Sequence, residues 1–310
     1  MTIRIDCHCD TPQFLLKHDS LNEVAEAALD FQGLRQYLDM AFYSIWVNQD
    51  EFADKEPEHF ALIFNRLVKD ICSQPDIHIL REKEQLDNLL NGEKLLVLAM
   101  EGAAPLGRNC EHLDGYFDLG LRSIGLTWNQ ANTYASGIDK IGGLSEAGHD
   151  LVRRCNKMGI LLDAAHLNDE GFEDLLEASS QPFIVTHTVC RSLNNTFLRS
   201  LTDEQMLALK AKGGVMGITF VPDFLGGKGG MEDLCRHIEY SVELIGSEHV
   251  ALGSDFDGCE PVCELNEVKC LPAIYAELEQ RGMSFRDIAN VQGGSVFALL
   301  KRVMPSQKHK

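Results

Sequence analysis

An eightfold β/α barrel, a (β/α)₈ fold of the α/β class, is what this sequence predicts, on three observations. Eight apolar runs of strand length recur along 310 residues, and helical patterns separate them. The runs are nearly continuous in apolar residues, as buried parallel strands are, and do not alternate as half-exposed ones do. No glycine-rich nucleotide loop follows the first run, which disfavours the competing doubly wound open sheet. Eight β/α repeats close into a barrel, and a chain of this length commonly forms one.

Taken in order, the runs are IRIDCHC from Ile3, MAFYSIWV from Met40, KLLVLAM from Lys94 and LRSIGLTW from Leu121. They continue with GILLDAAH from Gly159, PFIVTHT from Pro182, GGVMGITF from Gly213 and HVALGSDF from His249. Between them, EHFALIFNRLVKDI from Glu58 and MEDLCRHIEYSVELI from Met231 are amphipathic helical stretches that supply a covering layer. Thr202 with Gln205, and Ser284 with Asp287, have the spacing of a helix-starting capping box. The stretch GGKGG, from Gly226 to Gly230, reads as a mobile loop beyond the seventh strand. With no linker, low-complexity tract or charge block, residues 1–310 read as one domain.

Composition narrows the function. A hydrophobic content of 45% suits a large globular core, and no apolar run approaches the roughly 20 residues of a membrane helix. The N-terminus shows no apolar signal region, so a cytoplasmic location is expected. A formal net charge of −19 argues against nucleic acid and anionic membrane as partners. It leaves a small substrate open, since one local cation can hold a carboxylate. The ten cysteines include no Cys-x-x-Cys pair, and they read as small interior hydrophobes.

The stretch RIDCHCDTPQ, residues 4–13, carries the first chemical question. In a strand, side chains alternate between faces, so His8 and Asp10 share one face and Cys7 and Cys9 the other. The thiolates would make a soft structural site, the His/Asp pair a harder hydrolytic one. The other strand ends decide between them, because barrel chemistry sits at the C-terminal ends of the strands. The third run ends in Glu101, the fifth in His166, the sixth in His187, and the eighth in Asp255 with Asp257 beyond. No other cysteine sits at a strand end. His8 and Asp10 are therefore expected to face the centre, and Cys7 and Cys9 the helical layer.

A lone histidine at a strand end is usually a hydrogen-bonded structural residue. Six such polar residues at one mouth would leave several buried charges unpaired unless a metal is present. The set suits two zinc ions sharing one carboxylate. The remaining histidines (His18, His59, His78, His112, His149, His237, His249 and His309) read as surface, helix-packing or opposite-mouth residues. Cys259 lies near the mouth but is not expected to be a nucleophile.

These residues carry a family resemblance over nearly the whole chain. IDCHCDTP at 5–12, MEGAAPLG at 100–107, LTWNQANTYASG at 126–137, LLDAAHLND at 161–169, the segment from Ile184 to Met206, and LGSDFDG at 252–258 resemble the membrane (renal) dipeptidase family, zinc enzymes of the amidohydrolase superfamily. The resemblance implies that His8 and Asp10 bind one zinc, His166 and His187 the other, and that Glu101 bridges them. It implies Asp255 as the catalytic acid/base and Arg199 as the group holding the substrate's C-terminal carboxylate, with Arg191 as competitor for that role. Trp128 stands where mammalian members have a histidine that contacts the scissile group, with Asn129 beside it. Both are expected to touch substrate. An indole offers a single N–H donor, so specificity is expected to differ.

The expected reaction is hydrolysis of a dipeptide by a water activated between the two zinc ions. Substrates with a C-terminal D-residue are included, since the family accepts them, and relatives are often homodimers. One alternative is another amidohydrolase activity, on N-acyl amino acids, lactams or lactones. A catalytically silent peptide-binding barrel is a more distant one.

Overall fold

The computed structural model describes residues 2–306. Among these residues nine strands run in chain order: β1 (Ile5–Cys9), β2 (Met40–Trp46), β3 (Ile77–Ile79), β4 (Lys94–Glu101) and β5 (Leu121–Gly125). They are followed by β6 (Leu161–Asp163), β7 (Ile184–Thr188), β8 (Val215–Ile218) and β9 (Val250–Leu252). All pairings between these strands are parallel, and the β2–β4 pair closes the ring β1-β2-β4-β5-β6-β7-β8-β9 into an eight-stranded barrel. All eight runs read from the sequence are barrel strands.

The ninth strand, β3, escaped that reading because it has only three residues. It pairs with Lys94–Leu96 at the lower end of β4, before β5 takes over that edge from Leu98. Several strands are also shorter than their apolar runs. β5 stops at Gly125, β6 at Asp163 and β9 at Leu252, so Trp128, His166 and Asp255 stand on the loops just beyond.

Two apolar clusters follow from strand alternation. Met40 and Phe42 of β2 and Leu95 and Val97 of β4 belong to the inner one; Ala41, Tyr43, Leu96 and Leu98 belong to the outer, helix-facing one. Inside is the face of Ser44, whose hydroxyl lies 3.2 Å from His8 Nδ1. The helix Ser295–Val303 stops the lower end of the barrel with Val296, Leu299, Leu300 and Val303. Just before it, Gly293 packs so closely that a Cβ there would lie 2.8 Å from Ile3 O and 2.9 Å from Ile5 N.

The face assignment of the first strand needs correcting. Cys9 joins the outer cluster as expected, but Cys7 sits in the inner one with Ile5, Phe42 and Val97. A bulge is the reason. Between the pairs Asp6↔Ala41 and Cys9↔Tyr43, β1 spends three steps where β2 spends two. The extra residue breaks the alternation and lets Cys7 and His8 both turn inward. β7 repeats the device between Val185↔Met216 and Thr188↔Ile218.

The helices follow their signals. Helix Glu56–Ser73 and helix Met231–Ile245 cover the barrel, burying Phe60, Ile63, Phe64 and Leu67 from the first and Leu234, Cys235 and Ile238 from the second. Thr202 and Gln205 form a reciprocal capping box on helix Asp203–Lys212. Ser284 caps helix Phe285–Ala289, but the Asp287 carboxylate accepts the Ser284 hydroxyl.

The GGKGG stretch is held in place, contrary to the expected mobility. Its Lys228 and Gly229 N–H groups both donate to the Asp233 carboxylate, at 2.8 and 3.1 Å. Gly226, Gly227 and Gly229 have φ of +69, +58 and +66°, a turn that side-chain-bearing residues adopt only with strain. Among the described residues no helix is long and apolar enough to cross a membrane.

Candidate active site

Six side chains meet at the C-terminal mouth. His8 and His187 come from the bulged strands β1 and β7, and Glu101 is the last residue of β4. Asp10, His166 and Asp255 stand on the loops just beyond β1, β6 and β9. His166 and Asp255 hold left-handed backbone, φ +66 and +64°, a conformation that costs a non-glycine residue free energy and concentrates at functional sites.

The two oxygens of Glu101 face different partners. Oε2 lies 3.4 Å from His8 Nε2; Oε1 lies 2.9 Å from His166 Nε2 and 3.6 Å from His187 Nε2. On the first side, His8 Nε2 is 3.5 Å from Asp10 Oδ2 and 3.6 Å from Asp255 Oδ1. On the second, the two Nε2 atoms of His166 and His187 are 2.9 Å apart. All six residues are less than 10% exposed.

Such crowding shifts every titration. Burial and the neighbouring Glu101 push Asp10 up to about 8. Burial would raise Glu101, but His8 and His166 hold it well below the usual carboxylate range. Burial and the Arg199 charge bring His166 down to about 4. Burial also raises Asp255 above an ordinary aspartate, which suits a group that must hold and release a proton.

A metal fits this donor set on local hydrogen bonding alone. His166 Nδ1 bonds Asn129 Oδ1 at 2.8 Å, an acceptor, so the Nδ1 carries the proton and Nε2 presents a lone pair. The Thr186 hydroxyl gives its proton to Asp163 Oδ2 at 2.6 Å and can only accept from His187 Nδ1 at 2.9 Å. His187 Nε2 is therefore a lone pair as well. Two lone pairs and a carboxylate oxygen point at one another, an arrangement that a cation resolves. Among the described residues, His8 Nε2 and Asp10 Oδ1 are buried without any hydrogen-bond partner.

Above these groups lies a cavity of about 370 Å³. Asp10, Glu101, His166, His187 and Asp255 line it, with Arg199, Trp128 and Asn129 on the walls, while His8 lies beneath the floor. The structure thus brings all nine residues singled out in the sequence to one place.

Arg199 folds back over the mouth and is buried. Its Nη2 donates to His187 O at 2.7 Å, its Nη1 stands 3.1 Å from His166 Nε2, and its guanidinium lies over Phe224. Its Nε has no hydrogen-bond partner among the described residues. Arg191, the competitor, is spent on Asp169, with both contacts under 2.9 Å. The Asn129 oxygen is committed to His166, which makes this residue a support for an imidazole. Trp128 packs against the Trp46 ring at 4.9 Å between centroids.

Sequence reasoning missed Gln13, Trp46 and Phe224, which also line the cavity. Trp46 ends β2 and was legible as a strand-end side chain, but a search for ligands passes over an indole; Phe224 carried no signal. Asp257 is taken up by Thr11 and the Ala28 N–H. Cys259 borders the cavity, and burial pushes its thiol up, away from the nucleophilic thiolate. His237 bonds Cys190 N and Leu225 O, and His249 bonds Gly214 O, both structural roles. His309 lies outside the described residues.

A family model described as membrane dipeptidase, peptidase family M19, matches residues 1–309. A Klebsiella pneumoniae protein named for its place in the pqqA 5′ region is 34% identical over 201 residues, 60% of this chain and 74% of that protein. Alignments to curated dipeptidases span from 50 to 80% of those proteins' lengths. Among solved structures, a metallopeptidase of family M19 called dipeptidase AC superposes with a TM-score of 0.92 at 26% identity, over 99% of this chain and 100% of that one. A Rhodobacter sphaeroides metallopeptidase, liganded with a phosphinate mimic of L-Ala-D-Ala, does so with a TM-score of 0.90 at 26% identity, over 98% of this chain and 100% of that one.

Proposed function

Since this chain belongs to the membrane dipeptidase family, peptidase family M19, and is a metal-dependent peptide-bond hydrolase, we propose that it cleaves dipeptides with two zinc ions held across Glu101. The observation that carries the reading is the division of the Glu101 carboxylate, one oxygen toward His8 and the other toward His166 and His187. His8 and Asp10 would hold one ion, His166 and His187 the other. Bound there, the ions would polarise the scissile carbonyl and lower the pKa of an attacking water.

The chain's own groups supply the remaining steps. Asp255, with its raised proton affinity, accepts the water's proton and delivers it to the departing amine. Arg199 takes the terminal carboxylate of the substrate, which positions the bond and excludes longer peptides. Its charge is needed locally, because a carboxylate approaching a protein of net charge −19 is otherwise repelled. Trp128 and Trp46 wall the cavity with flat apolar surface in place of an imidazole. Substrates with a C-terminal D-residue, and homodimeric assembly, belong to the same proposal.

The test combines elemental analysis with a substrate panel. The expected result is about two zinc ions per chain, with turnover of L,L- or L,D-dipeptides exceeding that of N-acyl amino acids and lactones. A single ion in a fully active protein would overturn the dinuclear reading. Faster turnover of N-acyl amino acids would shift the assignment to the wider amidohydrolase class.

A further inference from the structure

We infer that Thr186, seated on Asp163, is a positioning residue that sets the proton arrangement of two imidazoles on opposite sides of Glu101 and thereby ties the two metal positions together. The inference rests on the metal reading given above and adds to it a buried support that touches neither metal nor substrate. Thr186 and Asp163 lie under the floor, 1% and 6% exposed. Two bulged strands meet there, because the extra residues in β1 and β7 turn His8, Thr186 and His187 all toward the axis. The His8 and His187 rings lie 3.8 Å apart between centroids.

Counting hydrogens fixes the arrangement at His187. Asp163 Oδ1 accepts from the N–H groups of Ala165 and Thr186, at 2.9 and 3.0 Å, and Oδ2 from the Thr186 hydroxyl at 2.6 Å. The hydroxyl has one proton, and the carboxylate takes it. Its lone pairs then face His187 Nδ1 at 2.9 Å and His8 Nδ1 at 3.5 Å, the latter also 3.2 Å from Ser44 Oγ. His187 is held with the proton on Nδ1 and the lone pair of Nε2 aimed at Glu101 Oε1, and the Thr186 lone pair favours the same arrangement at His8, where the Ser44 hydroxyl is the competing partner. A residue that reads as an ordinary strand threonine thus serves a ligand from each half of the centre, and metal affinity depends on such outer partners.

Exchanging Asp163 for asparagine reverses this logic without changing shape. The two backbone N–H groups hold the amide oxygen at the Oδ1 position, leaving the NH₂ to donate to Thr186. The hydroxyl proton must then turn to His187 Nδ1 or to His8 Nδ1, which forces the opposite tautomer on that ring and puts a proton where the metal's lone pair should be. The experiment measures zinc affinity by chelator competition on metal-stripped protein across pH, together with cobalt(II) absorption spectra, for the parent, T186S, T186V and D163N. T186S should stay within about threefold of the parent, and T186V should bind about 10–100-fold more weakly. D163N should bind at least as weakly as T186V, with a steeper pH dependence and an altered cobalt spectrum. Should T186V fail to fold, judged by near-ultraviolet circular dichroism, D163N and T186S carry the comparison. If the parent binds metal and D163N or T186V matches its affinity and cobalt spectrum, this inference falls and the metal reading stands. If the parent itself binds no metal, both fall.

Discussion

Arg191 and Arg199 share one segment, and their surroundings give them different work. Arg191 spends its guanidinium on Asp169, whereas Arg199 is buried at the cavity wall with an unpartnered Nε. Arg199→Met should raise KM for dipeptides by the equivalent of about 2–5 kcal/mol, as loss of a buried charged anchor does, with zinc content unchanged. Dipeptide amides, which lack the terminal carboxylate, should be poor substrates of the parent and indifferent to the exchange. Arg191→Met should cost no more than about 1 kcal/mol of stability, the scale of a partly exposed ion pair, and leave KM where it was. Steady-state kinetics on a dipeptide and its amide check both; equal turnover of the two by the parent would remove Arg199 from the role. Glu101→Gln provides the companion measurement. An amide cannot present an anionic oxygen to each side, so metal analysis should find one of the two ions largely lost.

The elements show which parts of this were legible. Near-continuous apolar runs are a strong signal for buried parallel strands, and the eight barrel strands lay where those runs lay. Glu101, His166, His187 and Asp255 could be placed because strong ligands at strand ends are scarce, so their recurrence at one mouth is informative. A bulge leaves no such trace. It is a mismatch of register between two strands, and nothing within IDCHC records the three steps against two that turn Cys7 inward. The three-residue β3 is equally silent, being too short for any period to show. Cys7→Ala and Cys9→Ala should each cost of order 1 kcal/mol of packing, one inside the barrel and one outside, with metal content intact. His8→Ala should retain the fold and lose an ion. Loss of metal from the Cys9 variant would place that face wrongly. Thr202→Ala removes one half of the reciprocal cap on helix Asp203–Lys212 and should lower stability by about 1 kcal/mol, read by thermal melting.

For the molecule as a whole, charge is distributed by function along the barrel axis. At the end opposite the mouth, Lys94 Nζ donates to Leu38 O and Asp39 Oδ1, and Arg4 reaches the same carboxylate. Burial opposes ionisation of Asp39, but Arg4 and Lys94 hold its pKa below the ordinary 3.8. A carboxyl depressed in the folded state stabilises fully above its unfolded pKa, and the contribution fades as pH falls through the folded value. Lys94→Met should therefore lower Tm at neutral pH and make the loss of Tm on acidification below about pH 4 shallower than in the parent. The same end of the barrel is stopped by the helix Ser295–Val303, so among the described residues the cavity opens at the mouth. In the proposed reaction a dipeptide would arrive and both amino acids would depart by the same route. The C-terminal product still carries the carboxylate that Arg199 was proposed to hold, while the N-terminal product gains a new carboxylate, built from the scissile carbonyl and the attacking water, at the proposed metal positions. Each free amino acid should therefore compete with incoming dipeptide in product-inhibition kinetics, and Arg199→Met should relieve inhibition by the C-terminal one while leaving that by the N-terminal one unchanged.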